Sequence, residues 1–149
     1  MINEAKRLFL QSSDLGNSNA MIRYASIMED KEDFEEAKKF YMRAGSQGNA
    51  VAINRVGILL MKMGDIEEAK KEFDRSIKLG NIDALINYAK ILEKENDKEG
   101  ARRYYLNAID LGSSRAMSEY AHLLQVVGEY KEAKKYYLKS IELGNSGVK

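Results

Sequence analysis

The chain has 149 residues, with 24 basic and 23 acidic side chains, a formal charge of +1, and no proline, cysteine or tryptophan. So even a charge excludes the one-sign field expected of a duplex DNA binder, and the missing cysteines exclude a disulfide scaffold. The composition favours uninterrupted helices over a β-sandwich, and no apolar run is long enough to span a membrane.

The opening residues, Met1 to Arg7, place acid and base ahead of any apolar run, so no secretory leader is expected and the cytoplasm is the default compartment. Further on, Gly16, Gly48, Gly80, Gly112 and Gly144 stand 32 residues apart. A period of that size marks stacked structural repeats. With each glycine as repeat position 1, position 5 is Ala20, Ala52, Ala84 and Ala116, and position 22 is Ala37, Ala69, Ala101 and Ala133. Positions 10 (Ala25, Gly57, Ala89, Ala121) and 29 (Ala44, Ser76, Ala108, Ser140) are also small, as close helix packing requires.

Residues 2–15 read as a second helix whose first helix is missing, because Ile2, Ala5 and Phe9 align with Phe34, Ala37 and Tyr41. Each following repeat then holds two amphipathic helices. The first carries Met21, Ile53, Leu85, Met117 at position 6, Tyr24, Val56, Tyr88, Tyr120 at 9, and Met28, Leu60, Leu92, Leu124 at 13. The second carries Phe34, Ile66, Lys98, Tyr130 at position 19 and Tyr41, Phe73, Tyr105, Tyr137 at 26.

The spacing predicts first helices near 18–31, 50–63, 82–95 and 114–127, and second helices near 34–47, 66–79, 98–111 and 130–143. Asn17, Asn49, Asn81 and Ser113 are placed to cap the first helices. Asp33 with Glu36 and Asp65 with Glu68 have capping-box spacing on the second helices, whereas Asp97 faces Gly100 in place of the Glu. The repeat glycines fall where a left-handed helix terminus suits them. The expected organisation is a single repeat domain of nine helices: a half repeat at 1–15, repeats at 16–47, 48–79, 80–111 and 112–143, and the start of another at 144–149. Such a chain reads as a segment cut from a longer array.

Small residues at positions 10, 22 and 29 with an aromatic at 26 resemble the tetratricopeptide repeat core. The Gly-Asn-x-x-Ala opening at Gly16, Gly48 and Gly80, followed by Glu-Ala-Lys-Lys-x-Tyr/Phe, is similar to the Sel1-like branch of that superfamily. The copies are shorter than usual Sel1-like units, and the proline near the end of a tetratricopeptide repeat is absent. The resemblance implies an all-α, right-handed superhelical solenoid that acts as an adaptor, with first helices lining a concave surface.

On that surface, positions 4, 7, 11 and 14 form the stripe opposite the core face, and Ile22, Val51, Asn54, Ile58, Met61, Ile86, Lys90, Ser118 and His122 are the candidate partner contacts. The second repeat stands out because Val51, Ile58 and Met61 make an otherwise polar stripe apolar. The competing reading is curvature, with neighbouring first helices covering these residues. The Lys and Asn that clamp a peptide C-terminus in some tetratricopeptide proteins are replaced at positions 7 and 11 by Ile22 with Ser26 and Asn54 with Ile58, which argues against that ligand.

His122 is the single histidine and lacks the company of a metal or acid/base site. The basic column Lys38-Lys39, Lys70-Lys71, Arg102-Arg103, Lys134-Lys135 trails acids at intrahelical ion-pair spacing, so a solvated face explains it better than an RNA ladder. No phosphate loop or nucleophile motif occurs, and no enzymatic activity, cofactor or metal is expected. The expected function is a protein-interaction scaffold binding a peptide or protein through the groove. The alternative is end-to-end self-association through Ile2 to Leu15 and Tyr137 to Leu143, with RNA binding a distant third and no membrane partner.

Overall fold

In the computed structural model, the described residues are Glu4, Arg7, Leu8, Gln11 and 16–147, with side chains described to residue 144. From Ser18 onward the chain forms α1 (Ser18–Asp30), α2 (Phe34–Ser46), α3 (Ala50–Lys62), α4 (Ile66–Lys78), α5 (Ile82–Lys94), α6 (Lys98–Asp110), α7 (Ser114–Val126) and α8 (Tyr130–Gly147). These eight helices are the ones expected for the four full repeats. The ninth, over residues 2–15, lies largely outside the described residues. The chain divides into two compact units, Met1–Asn81 and Ile82–Lys149, separated at a repeat boundary. In the first, α1 packs on α2, α2 on α3 and α3 on α4; in the second, α5 packs on α6, α6 on α7 and α7 on α8.

The small columns let these helices approach. Ala37, Ala69 and Ala101 have no exposed surface, and neither do Ala25, Ala89 and Ala121. Around them Tyr24, Tyr41, Phe73 and Tyr105 are also fully buried, each aromatic contributing on the order of 2–3 kcal/mol of burial. Serine is tolerated in the small column because its hydroxyl finds a partner. Ser76 donates to the carbonyl of Ala50 at 2.7 Å, and Ser140 to that of Ser114 at 2.9 Å, so each pins a second helix to the start of its own first helix.

Helix ends follow local chemistry. Asn17, Asn49 and Ser113 accept from the backbone N–H three residues on, at 3.0, 3.1 and 3.0 Å. Inside each repeat the turn is closed by a backbone bond running from position 18 back to position 13, such as Asp33 to Met28 at 2.8 Å and Asp97 to Leu92 at 2.8 Å. That bond corrects the capping-box expectation. The N–H of Asp33 is already used, so Glu36 has no reciprocal role and instead accepts the hydroxyl of Tyr24 at 2.9 Å. Asp33 and Asp97 still cap their helices, while Asp65 makes no side-chain cap bond.

The turn places position 17 in the left-handed region: Gly64 and Gly128 have φ of 87° and 88°, and Glu32 and Asn96 adopt 62° and 63°. At the far end, α8 continues to Gly147 where a stop near 143 was expected. Gly144 is helical rather than left-handed.

Candidate functional site

Within the first unit, the stripe is apolar on α3 and polar except for Ile22 on α1, and it is partly open. Val51 is 49% exposed, and Ile22, Ile58 and Met61 are half-buried. Asn54, expected beside them, is only 7% exposed and presents little surface. The two helices are tied across the stripe by polar contacts at both ends. Asn49 donates to the Ser18 hydroxyl at 3.4 Å, and the Lys62 ammonium contacts Glu29 at 2.5 Å.

Glu29 is held from below as well, accepting the buried hydroxyl of Tyr41 at 2.9 Å. In the next repeat the corresponding residues are Met61 and Phe73. Where the ring carries no hydroxyl, the first helix carries no acceptor, and the stripe becomes apolar at that point.

In the second unit the same stripe on α5 and α7 is closed by charge. Lys90 pairs with Glu119 at 2.6 Å, and Arg115 with Asp83 at 3.2 Å. The Ser118 hydroxyl turns back to the carbonyl of Arg115 at 3.0 Å, and His122 is exposed. Ile86 is fully buried, so it supplies no surface to a partner. Beneath the stripe, the Tyr105 hydroxyl donates to Glu93, and that of Tyr137 to Gln125 at 3.1 Å.

The buried hydroxyls of Tyr24, Tyr41, Tyr105 and Tyr120 resist ionisation. Burial, reinforced by the hydrogen bond to Glu36, pushes Tyr24 up to about 12. Tyr41 and Tyr105 are raised by burial first and by their bonds to Glu29 and Glu93 second. Burial also raises Tyr120.

The second helices carry a different surface. On α4, Lys70 with Glu67 and Lys71 with Glu68 form the intrahelical pairs expected of the basic column, at 3.7 and 3.1 Å. Among the described residues no trio of His, Cys, Asp or Glu is arranged to hold a metal. No helix among them is long and apolar enough to cross a membrane.

The family model of the tetratricopeptide repeat matches residues 18–44, 50–79, 82–111 and 114–143, the four helix pairs described above. The chain belongs to the tetratricopeptide repeat family. No curated protein matches it in sequence. Its fold is also that of solved repeat structures. A Sel1 repeat protein from Oxalobacter formigenes superposes with a TM-score of 0.74 at 21% identity, over 95% of this chain and 65% of that one. MamA gives 0.73 at 17%, over 96% and 88%. YrrB, a TPR protein with an unusual peptide-binding site, gives 0.67 at 21%, over 91% and 74%. The Sel1-like character read from the Gly-Asn junction is thus matched at the level of fold.

In this tetratricopeptide chain, the candidate contacts that keep open surface in the first unit are Ile22, Val51, Ile58 and Met61. Lys90, Ser118 and His122 share the more polar stripe of the second unit. Sequence reasoning passed over Lys62 at position 15 and Arg55 at position 8, both exposed on α3. Their signal was available in the same columns, where Lys94 and Arg23 repeat the charge one period away.

Proposed function

We propose that the chain is a non-enzymatic interaction module that binds a peptide or protein partner through the exposed face of its first helices, with Ile22, Val51, Ile58 and Met61 as the anchoring contacts. The observation that carries the reading is the contrast between the two units. The stripe is apolar and open on α3 at Val51, Ile58 and Met61, with Ile22 of α1 beside polar neighbours and one ion pair at its end, whereas two ion pairs cross it on α5 and α7. Open apolar side chains with a polar rim are the usual composition of a recognition patch. Family membership and the peptide-binding site of the similar structure YrrB support it. Changing Ile58 and Met61 together to Ser is expected to remove most partners captured by the immobilised chain; a partner set identical to that of the unaltered chain contradicts this assignment.

A second reading is favoured by a separate observation. On α7 and α8, Val126, Tyr130, Leu138 and Ile141 are 60%, 69%, 52% and 59% exposed, and Tyr130 and Leu138 line an open cavity of 290 Å³ with Ala133 and Tyr137. This surface supports self-association. Sedimentation over a concentration series is then expected to show a mass increase that Leu138→Asp abolishes, and a monomer at every concentration contradicts it.

A further inference from the structure

Corresponding positions in the two units differ in one electrostatic respect. In the second unit, position 8 of α7 is Glu119 and position 11 of α5 is Lys90, and the two neutralise each other at 2.6 Å. In the first unit the same two positions are Arg55 on α3 and Ser26 on α1. A cation is present, and the side chain opposite is an uncharged hydroxyl. Arg55 is exposed, and no ion pair reaches it among the described residues. Arg55 occupies on α3 the position from which Glu119 of α7 reaches across to Lys90 of α5, and its charge opposes the effect of burial on the Tyr41 hydroxyl. Arg23, at position 8 of α1, is also exposed. The carboxylate of Glu29 does not compensate them, since it is engaged by Tyr41 and Lys62.

We propose that the α1–α3 face selects segments in which acidic side chains adjoin apolar ones, the carboxylate binding Arg55 beside the Ser26 hydroxyl while the apolar groups cover Ile22, Ile58 and Met61. A guanidinium takes a carboxylate through two parallel hydrogen bonds, and apolar contacts alongside exclude the water that otherwise screens the pair. The acid supplies the charge that the Lys90–Glu119 pair supplies internally in the other unit. This inference rests on the proposed use of that face and adds the chemistry of what it recognises.

The test uses the intact chain and two labelled synthetic peptides with blocked ends, one alternating leucine with glutamate and the other leucine with glutamine, followed by fluorescence anisotropy. The glutamate peptide is expected to bind at least tenfold more tightly. Arg55→Glu is expected to erase that preference, and raised salt to shrink it. Arg55 is exposed, so the variant keeps the fold, which circular dichroism checks. Equal binding of the two peptides, or a preference untouched by Arg55→Glu, overturns the acidic selectivity. Failure of both peptides to bind overturns it too. If both bind equally and Ile58→Ser weakens both, the face stands and only the selectivity falls. If Ile58→Ser and Met61→Ser leave binding unchanged, the face itself has been misassigned.

Discussion

The hydroxyl of Tyr41 donates to Glu29, 12 residues earlier, across the two helices of one repeat. The same link recurs between Tyr105 and Glu93 and between Tyr137 and Gln125, and the second repeat drops both ends at once, with Phe73 and Met61. Phe73→Tyr alone therefore places a hydroxyl against Met61 without a partner and is expected to cost about 1–2 kcal/mol in urea unfolding. Adding Met61→Glu supplies the acceptor and is expected to recover about 1 kcal/mol of coupling in a double-mutant cycle. A coupling of zero removes the account of why this repeat is apolar.

Gly57 stands where the other repeats have alanine, and the Phe73 ring lies close against it. A Cβ built there comes within 2.5 Å of the Phe73 ring, which is fully buried and cannot swing away. Gly57→Ala gains about 1 kcal/mol of helix propensity and loses roughly 1–3 kcal/mol to overpacking. The net expectation is a lower melting temperature, and a raised one contradicts it.

Glu32 has φ of 62°, the region occupied by Gly64 and Gly128 in the same turn. Glu32→Gly is expected to stabilise the first unit by about 1 kcal/mol, read from thermal unfolding. Asn96→Gly is expected to gain less, since asparagine tolerates this conformation better. The reverse change, Gly64→Ala, is expected to destabilise.

Tyr24, pushed up to about 12, together with the raised Tyr41, Tyr105 and Tyr120, sets an alkaline limit. Above pH 10 the unfolded chain releases these protons while the folded chain keeps them, so stability falls as pH rises. Each retained proton contributes about 1.4 kcal/mol per pH unit between the unfolded and folded values. Below pH 10 the contribution is fully present. Unfolding midpoints measured from pH 8 to 11 are expected to drop steeply above 10, and Tyr41→Phe to flatten the slope; a flat profile contradicts the burial-raised hydroxyls.

The helices were legible because the 32-residue spacing fixes every small and large column together, and the caps at Asn17, Asn49 and Ser113 mark their starts. The stripe was legible only in part. Position 7 lies at the edge of the buried arc, where small differences in packing decide exposure. Ile22 and Ser118 stay half-open there, while Asn54 and Ile86 are buried. The link between positions 14 and 26 escaped notice because one column reads as groove and the other as core. Only the three-dimensional pairing of Glu29 with Tyr41 joins them. The extension of α8 past Gly144 was equally hidden, since a glycine at a helix terminus and one inside a helix look alike in sequence.

The most direct test of the interaction surface is amide chemical-shift mapping of the isotope-labelled chain during titration with the alternating leucine–glutamate peptide. The account predicts that the largest shifts cluster at Ile22, Val51, Arg55, Ile58 and Met61 on α1 and α3. Shifts confined to α2 and α4, or to the ion-paired stripe of α5 and α7, contradict it.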